Sequence, residues 1–122
     1  MAGSHPILNR LCNLEGTNFE VRDVKVHEDK VVWYIEHKDK PEYICPRCQK
    51  VHDAAFEKRW IKLLDTPHGF QKHIWYVKRA RILCTCSLSP VVEHISFRSK
   101  HHNMTTRFVD YIEMTLCTKM FT

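Results

Sequence analysis

Glycine and proline are scarce in this chain, with 3 and 5 among 122 residues, and neither a low-complexity stretch nor an internal repeat is present. That excludes a linker-like or disordered polypeptide and leaves an ordered domain. The longest apolar run near the middle is Val31-Val32-Trp33-Tyr34-Ile35, far short of the roughly 20 residues a membrane helix needs. A membrane partner is therefore not expected. Residues 1–10 lack the apolar segment of a secretion signal, so the compartment read from the chain is a reducing cytoplasm, where thiols stay free to bind metal. No nucleophile–base pair with a third orienting group is visible, and Asp53, Asp65 and Glu93 have no spacing that makes them an acid triad. The chain reads as a non-enzyme with no small-molecule substrate.

What is present is cysteine. Of the 6 cysteines, four form two close pairs, Cys45-Pro46-Arg47-Cys48 and Cys84-Thr85-Cys86, separated by 35 residues. Two thiolates on one turn and two on another can close a tetrahedral shell around one structural zinc ion, with no position left open for catalysis. Disulfides or buried free thiols are the alternative. Cys12 and Cys117 stand alone and read as small core residues.

Charge is unevenly placed. Residues 1–44 hold 6 Lys/Arg against 8 Asp/Glu, whereas residues 45–122 hold 13 against 6. A basic cysteine-rich part behind a mildly acidic front suggests a polyanion, most simply nucleic acid.

The chain length allows a modest core, burying roughly 65% of the unfolded surface. Residues 1–5 read as a leader or tag remnant. Residues 6–14 read as a short helix with Ile7, Leu8, Leu11 and Leu14 on one side and Gly16 past its end. Residues 19–27 and 31–37 alternate as a β-hairpin around Glu28-Asp29-Lys30, with Val31, Trp33 and Ile35 on one face. Strands are expected over 59–64, 70–83 and 91–97, with a turn at Asp65-Thr66-Pro67-His68-Gly69. Trp75 and Val77 should oppose Ile74 and Tyr76, and Trp33, Trp60 and Trp75 are assigned to the core. Asn103 reads as the N-cap of a closing helix, along which Phe108, Ile112, Leu116 and Met120 recur. The predicted architecture is small α+β: an arm with a short helix over 1–18, a hairpin over 19–44, a zinc ribbon of antiparallel strands over 45–100, and a C-terminal helix over 101–122.

Cys45-Pro46-Arg47-Cys48, Leu64-Asp65-Thr66-Pro67, Arg79-Ala80-Arg81-Ile82-Leu83-Cys84, Val92-Glu93 and Thr106-Arg107-Phe108, in that order, resemble the N-terminal region of bacterial transposases of the ISL-three type. The resemblance covers about residues 19–120. It implies a zinc finger ahead of a helix-turn-helix and a DDE nuclease, of which this chain holds the finger and the opening helix; the recognition helix and catalytic acids would follow. It also implies a bacterial cytoplasmic protein that helps hold transposon ends. The family spaces its second cysteine pair more widely than Cys84-Thr85-Cys86, so His94 and then His52 stand in reserve as a fourth ligand.

For DNA contact the candidates are Lys72, Lys78, Arg79 and Arg81, on the long strand beside Trp75 and Tyr76. Arg47 and Lys50 on the first cysteine turn, and Arg98 and Lys100 after the last strand, would complete one phosphate-contacting surface. A second reading is a protein-interaction module in which the stripe from Phe108 to Met120 pairs two copies of the chain as a homodimer. A third is RNA binding.

Overall fold

The computed structural model describes residues 6–100 and 102–120, without the side chains of 117–120. The leader at 1–5, and the side chains of Cys117 and Met120, fall outside that description.

The protein is a small α+β structure with elements α1 (Pro6–Leu11), β1 (Phe19–Val26), β2 (Lys30–His37), β3 (Tyr43–Ile44), β4 (Val51–His52), β5 (Glu57–His68), β6 (Gln71–Ile82), β7 (Val91–Val92) and α2 (Thr106–Met120). A five-stranded sheet has the order β1-β2-β6-β5, with β7 also on β6; β3 and β4 form a separate two-stranded ladder.

Antiparallel pairing holds within the β1/β2 and β5/β6 hairpins, but the join between them is parallel, from Lys30↔Lys72 to Ile35↔Val77. The sheet is thus mixed, where antiparallel strands alone were expected. Each hairpin offers its second strand as the inner edge, and those two strands run the same way. The segments read separately over 19–44 and 45–100 share this sheet.

Strand alternation then assigns faces. On one face, Val31, Trp33 and Ile35 of β2 and Trp75 and Val77 of β6 are buried with Val21, Leu63, Leu14, Ile95 and Phe97. Of the expected 91–97 strand, only Val91–Val92 is paired; Ile95 and Phe97 enter the core from irregular chain.

Two helix ends differ from expectation. α1 stops at Leu11 because Asn13 adopts a left-handed conformation (φ 56°), its amide donating to the Arg10 carbonyl at 3.1 Å while the Leu14 amide donates to the Asn9 carbonyl at 2.9 Å. That pair of bonds is a helix-terminating motif in which asparagine substitutes for glycine. Ile7 and Leu11 are consequently exposed, while Leu8 packs and Leu14 is buried. α2 is capped by Thr105, whose hydroxyl accepts from the Phe108 amide at 3.3 Å; the expected cap, Asn103, instead gives its carbonyl to the Leu64 amide at 3.0 Å.

The stretch read as a turn at 65–69 mostly belongs to β5, which continues to His68 through an irregularity between Asp65 and His68. Pro67, lacking an amide hydrogen, is tolerated at such an interruption. Asp65 is buried there. Thr105 donates its hydroxyl to Asp65 Oδ1 at 2.7 Å, and Arg107 donates to both carboxylate oxygens while also donating to the Leu11 carbonyl at 2.6 Å. The Arg107 guanidinium lies 5.2 Å from the centre of the Trp75 ring. One carboxylate therefore holds the start of α2, the end of α1 and β5 together. Removing one member of a buried, hydrogen-bonded charge pair strands the other. Asp65→Ala should lower the unfolding free energy by about 3 kcal/mol, measured by urea denaturation. Arg10→Ala, which deletes the exposed Arg10–Glu15 pair, should change it by less than about 0.5 kcal/mol.

Candidate metal centre

The first cysteine turn grows from the β3/β4 ladder, with Tyr43 opposite His52 and Ile44 opposite Val51. The Cys45 amide donates to the Lys50 carbonyl at 3.0 Å, and the Gln49 amide donates to the Cys45 carbonyl at 2.8 Å. Gln49 sits at φ 66°, a left-handed conformation that a side chain adopts at some strain. The second turn follows β6 directly, and the Ser87 amide donates to the Cys84 carbonyl at 3.2 Å before β7 returns along β6.

These turns bring four sulfurs together. Cys45 Sγ lies 3.5 Å from Cys86 Sγ, Cys48 Sγ lies 3.4 Å from Cys84 Sγ, and all four are within 4.8 Å of one another. A disulfide would need about 2 Å. A tetrahedron with metal–sulfur bonds of about 2.3 Å has edges near 3.8 Å, so this cluster fits one thiolate-bound ion such as zinc with small adjustment. The single residue between Cys84 and Cys86 suffices because each of the two reaches a different cysteine of the first turn. Neither His94 nor His52 belongs to the cluster.

The electrostatics fit a cation. The Cys48 amide, with help from the Arg47 amide, holds the Cys45 thiol down at about 6 against the effect of desolvation. The Cys45 sulfur foremost, then desolvation and the sulfurs of Cys84 and Cys48, push the Cys86 thiol up to about 12. Several thiolates cannot share this space without a positive ion between them. Cys12 is different: burial pushes its thiol up to about 12, as suits a core residue.

The residues read as DNA contacts separate by strand parity. Lys72 and Lys78 lie on the face of β6 opposite the core, Lys78 being 3.7 Å from Glu36. Arg79 and Arg81 lie on the core side, beyond its rim. Arg79 Nε donates to the Glu93 carbonyl at 2.9 Å, and Arg81 pairs with Glu57. Arg47 reaches from the first turn to the Ser87 hydroxyl of the second at 3.3 Å; Arg98 donates to Asn103 at 3.0 Å; Lys50 and Lys100 are exposed. Trp75 is core, not a platform beside these charges, and Trp60, assigned to the core, is half exposed.

Two groups had no signal in the sequence. His37 and Glu93 form a buried pair at 2.7 Å, in which Glu93 Oε1 also accepts from the Ala80 amide at 2.7 Å; this ties β2, β6 and the segment after β7. Arg59 stands directly across from Arg79, a relation visible only once the β5/β6 register is known. Among the described residues no helix is long and apolar enough to cross a membrane. Comparison with protein-family models, curated proteins and solved structures found no match.

Thiols must lose their protons to bind metal. At about pH 7 zinc binding should release more than one proton per ion, because Cys45 is already largely ionised while Cys86 and Cys48 are not, and binding should weaken progressively as pH falls, more steeply once Cys45 also protonates below about 6. Calorimetry in two buffers of different ionisation enthalpy measures the release; none would contradict thiolate ligation. Cys86→Ser should weaken zinc binding more than about tenfold by native mass spectrometry while His94→Ala leaves it unchanged. Gln49→Gly should stabilise the loaded protein by about 0.5 kcal/mol, read as a raised melting temperature.

Proposed function

We propose that this chain is a zinc-stabilised DNA-binding module, the N-terminal part of an insertion-sequence transposase, that contacts transposon-end DNA chiefly through backbone phosphates. Its metal is zinc, and its two cysteine turns act as the knuckles of a ribbon.

The observation that carries this reading is a group of guanidiniums at the metal end of the sheet. Arg59, Arg79 and Arg81 share one face of the β5/β6 hairpin, and Arg98 comes close enough to add its charge to that at Arg79. Glu57 pairs with Arg59 and Arg81. Arg79 and Arg98 make no ion pair with a carboxylate among the described residues. Burial first, and then the Arg98 charge, lower the Arg79 pKa, while Glu93 opposes this only in part. Adjacent cations in a half-buried setting are relieved by an anion, and the planar guanidinium donates two parallel bonds to phosphate oxygens.

The pieces of the transposase-like pattern also meet in space: Asp65 with Thr105 and Arg107, Glu93 with Arg79 and Ala80, and the two cysteine pairs with each other. This supports the resemblance as a set of mutually dependent positions. In that reading the metal orders the two turns and the arginines beside them engage the duplex backbone.

A second reading has one specific observation behind it. On α2, Tyr111 is 48% and Leu116 58% exposed, which suits pairing of helices between two chains. A dimer by sedimentation, together with no salt-dependent DNA binding, would favour it.

Arg59→Glu with Arg98→Glu tests the first reading. Duplex affinity by fluorescence anisotropy should fall at least about tenfold. The slope of log affinity against log salt should become shallower by about one unit for each phosphate the variant no longer neutralises. Unchanged affinity and slope, with zinc content intact, would overturn it.

A further inference from the structure

Among the described residues, the face of the sheet opposite the core is packed over at its metal end, where Ala80 and Ile82 lie against Tyr43 and Ala55. Along the rest of that face Val32 is buried, Tyr34, Leu64, Ile74, Tyr76 and Lys78 are half-buried, and Lys58, Trp60, Lys62 and Lys72 are exposed. In β5 and β6, the side chains that alternate onto it are Lys58, Trp60, Lys62 and Leu64, then Lys72, Ile74, Tyr76 and Lys78. This half of the face carries four lysines and no carboxylate. The acids of the hairpin, Glu57 and Asp65, alternate onto the other side.

Aromatic rings lie among these lysines. Tyr34 of β2 and Tyr76 are stacked, with ring centres 5.7 Å apart and planes 18° from parallel; Trp60 stands edge-on to Tyr34 at 6.0 Å. Lys78 is 5.3 Å from the centre of the Trp60 ring, and Lys25 of β1 is 5.4 Å from that of Tyr34. Toward β1 carboxylates appear: Glu36 pairs with Lys78 at 3.7 Å, and exposed Asp23 stands across from Tyr34. The face therefore has a border of mixed charge toward β1, where Lys25 accompanies Asp23 and Glu36, and a basic, aromatic floor on β5 and β6.

We propose that this face is a second nucleic-acid site, a platform for unpaired DNA. Bases stack on Trp60 and the Tyr34/Tyr76 pair, and Lys62, Lys72 and Lys78 meet the phosphates. A duplex keeps its bases stacked on one another and cannot use such a floor; a single strand can, because every base has a π-face and every linkage a charge. The occupant is taken as DNA because the proposal rests on the DNA-binding reading above. It adds to that reading a strand opened beside a duplex that the arginine face holds. The two sites lie on opposite faces of one hairpin, so they can be disabled separately.

The test uses the zinc-loaded chain and a single-stranded oligothymidylate of roughly ten nucleotides. Trp33 and Trp75 are buried and Trp60 is not, so quenching of tryptophan emission reports chiefly on Trp60. Saturable quenching is expected. Trp60→Leu with Tyr76→Leu should weaken oligonucleotide binding, followed by anisotropy, at least tenfold. Duplex affinity should be unchanged, and Trp60→Phe should retain most single-strand affinity. Zinc content and melting temperature serve as checks that each variant is folded. Oligonucleotide binding without quenching, and equally tight in the Leu variant, would overturn the platform while leaving the DNA reading in place. Duplex binding with no single-strand binding would do the same. Loss of both would overturn both. A clear preference for oligouridylate over oligothymidylate would overturn the assignment to DNA.

Discussion

Strand β6 is hydrogen-bonded along both edges, to β5 on one side and to β2 and β7 on the other. A strand held this way cannot slip by one residue without turning Trp75 and Val77 toward water and bringing Tyr76 and Lys78 into the core. The division of labour between the two faces follows from that constraint. Along the β5/β6 hairpin, guanidiniums and carboxylates fall on one side, lysines with Trp60 and Tyr76 on the other, and β6 delivers Cys84 to the candidate metal centre at its end. Few positions in the chain are so strongly determined by their neighbours.

Buried ionic groups then tie the remaining elements to this strand. Asp65 stands across from His73 in the β5/β6 pair and reaches α2 and α1 through Arg107; Glu93 reaches β2 through His37. Groups of this kind need not add net stability, since desolvation offsets much of the attraction. They do discriminate against alternatives, because any other packing leaves a charge buried without its partner. The small apolar core would tolerate several arrangements of α2; the Asp65 carboxylate, satisfied by Thr105 and Arg107 together, accepts one.

Legibility in the sequence followed the range of the signal. The alternation of Val31, Trp33 and Ile35, and of Trp75 and Val77, was readable because a period of two needs only neighbouring residues. The cysteine pairs were readable for the same reason, and their spacing carried the candidate metal site. The parallel β2/β6 join was not readable, because nothing local tells which edges of two hairpins meet. The grouping of basic residues failed at the same point: adjacent Lys78 and Arg79 look like one patch in the sequence and project to opposite faces in the sheet. Asp65 was hidden by its company, since Asp-Thr-Pro-His-Gly has the composition of a turn whether or not its aspartate is buried. Trp60 was assigned by residue type, and residue type does not know that its strand has one bare face.

The parallel join has a consequence for how the chain reaches its fold. Each hairpin closes locally, but Ile35 and Val77, partners across the join, are 42 positions apart, and bringing them together requires closing that whole loop. Once a metal links Cys45 to Cys84, the shortest covalent route between the two strands runs ten residues forward to Cys45 and seven back from Cys84. The loop-closure entropy that remains for docking the hairpins drops by about 0.8 kcal/mol. Such an ion would act as a matchmaker for the two halves of the sheet, and would make the order of events during folding a function of metal supply.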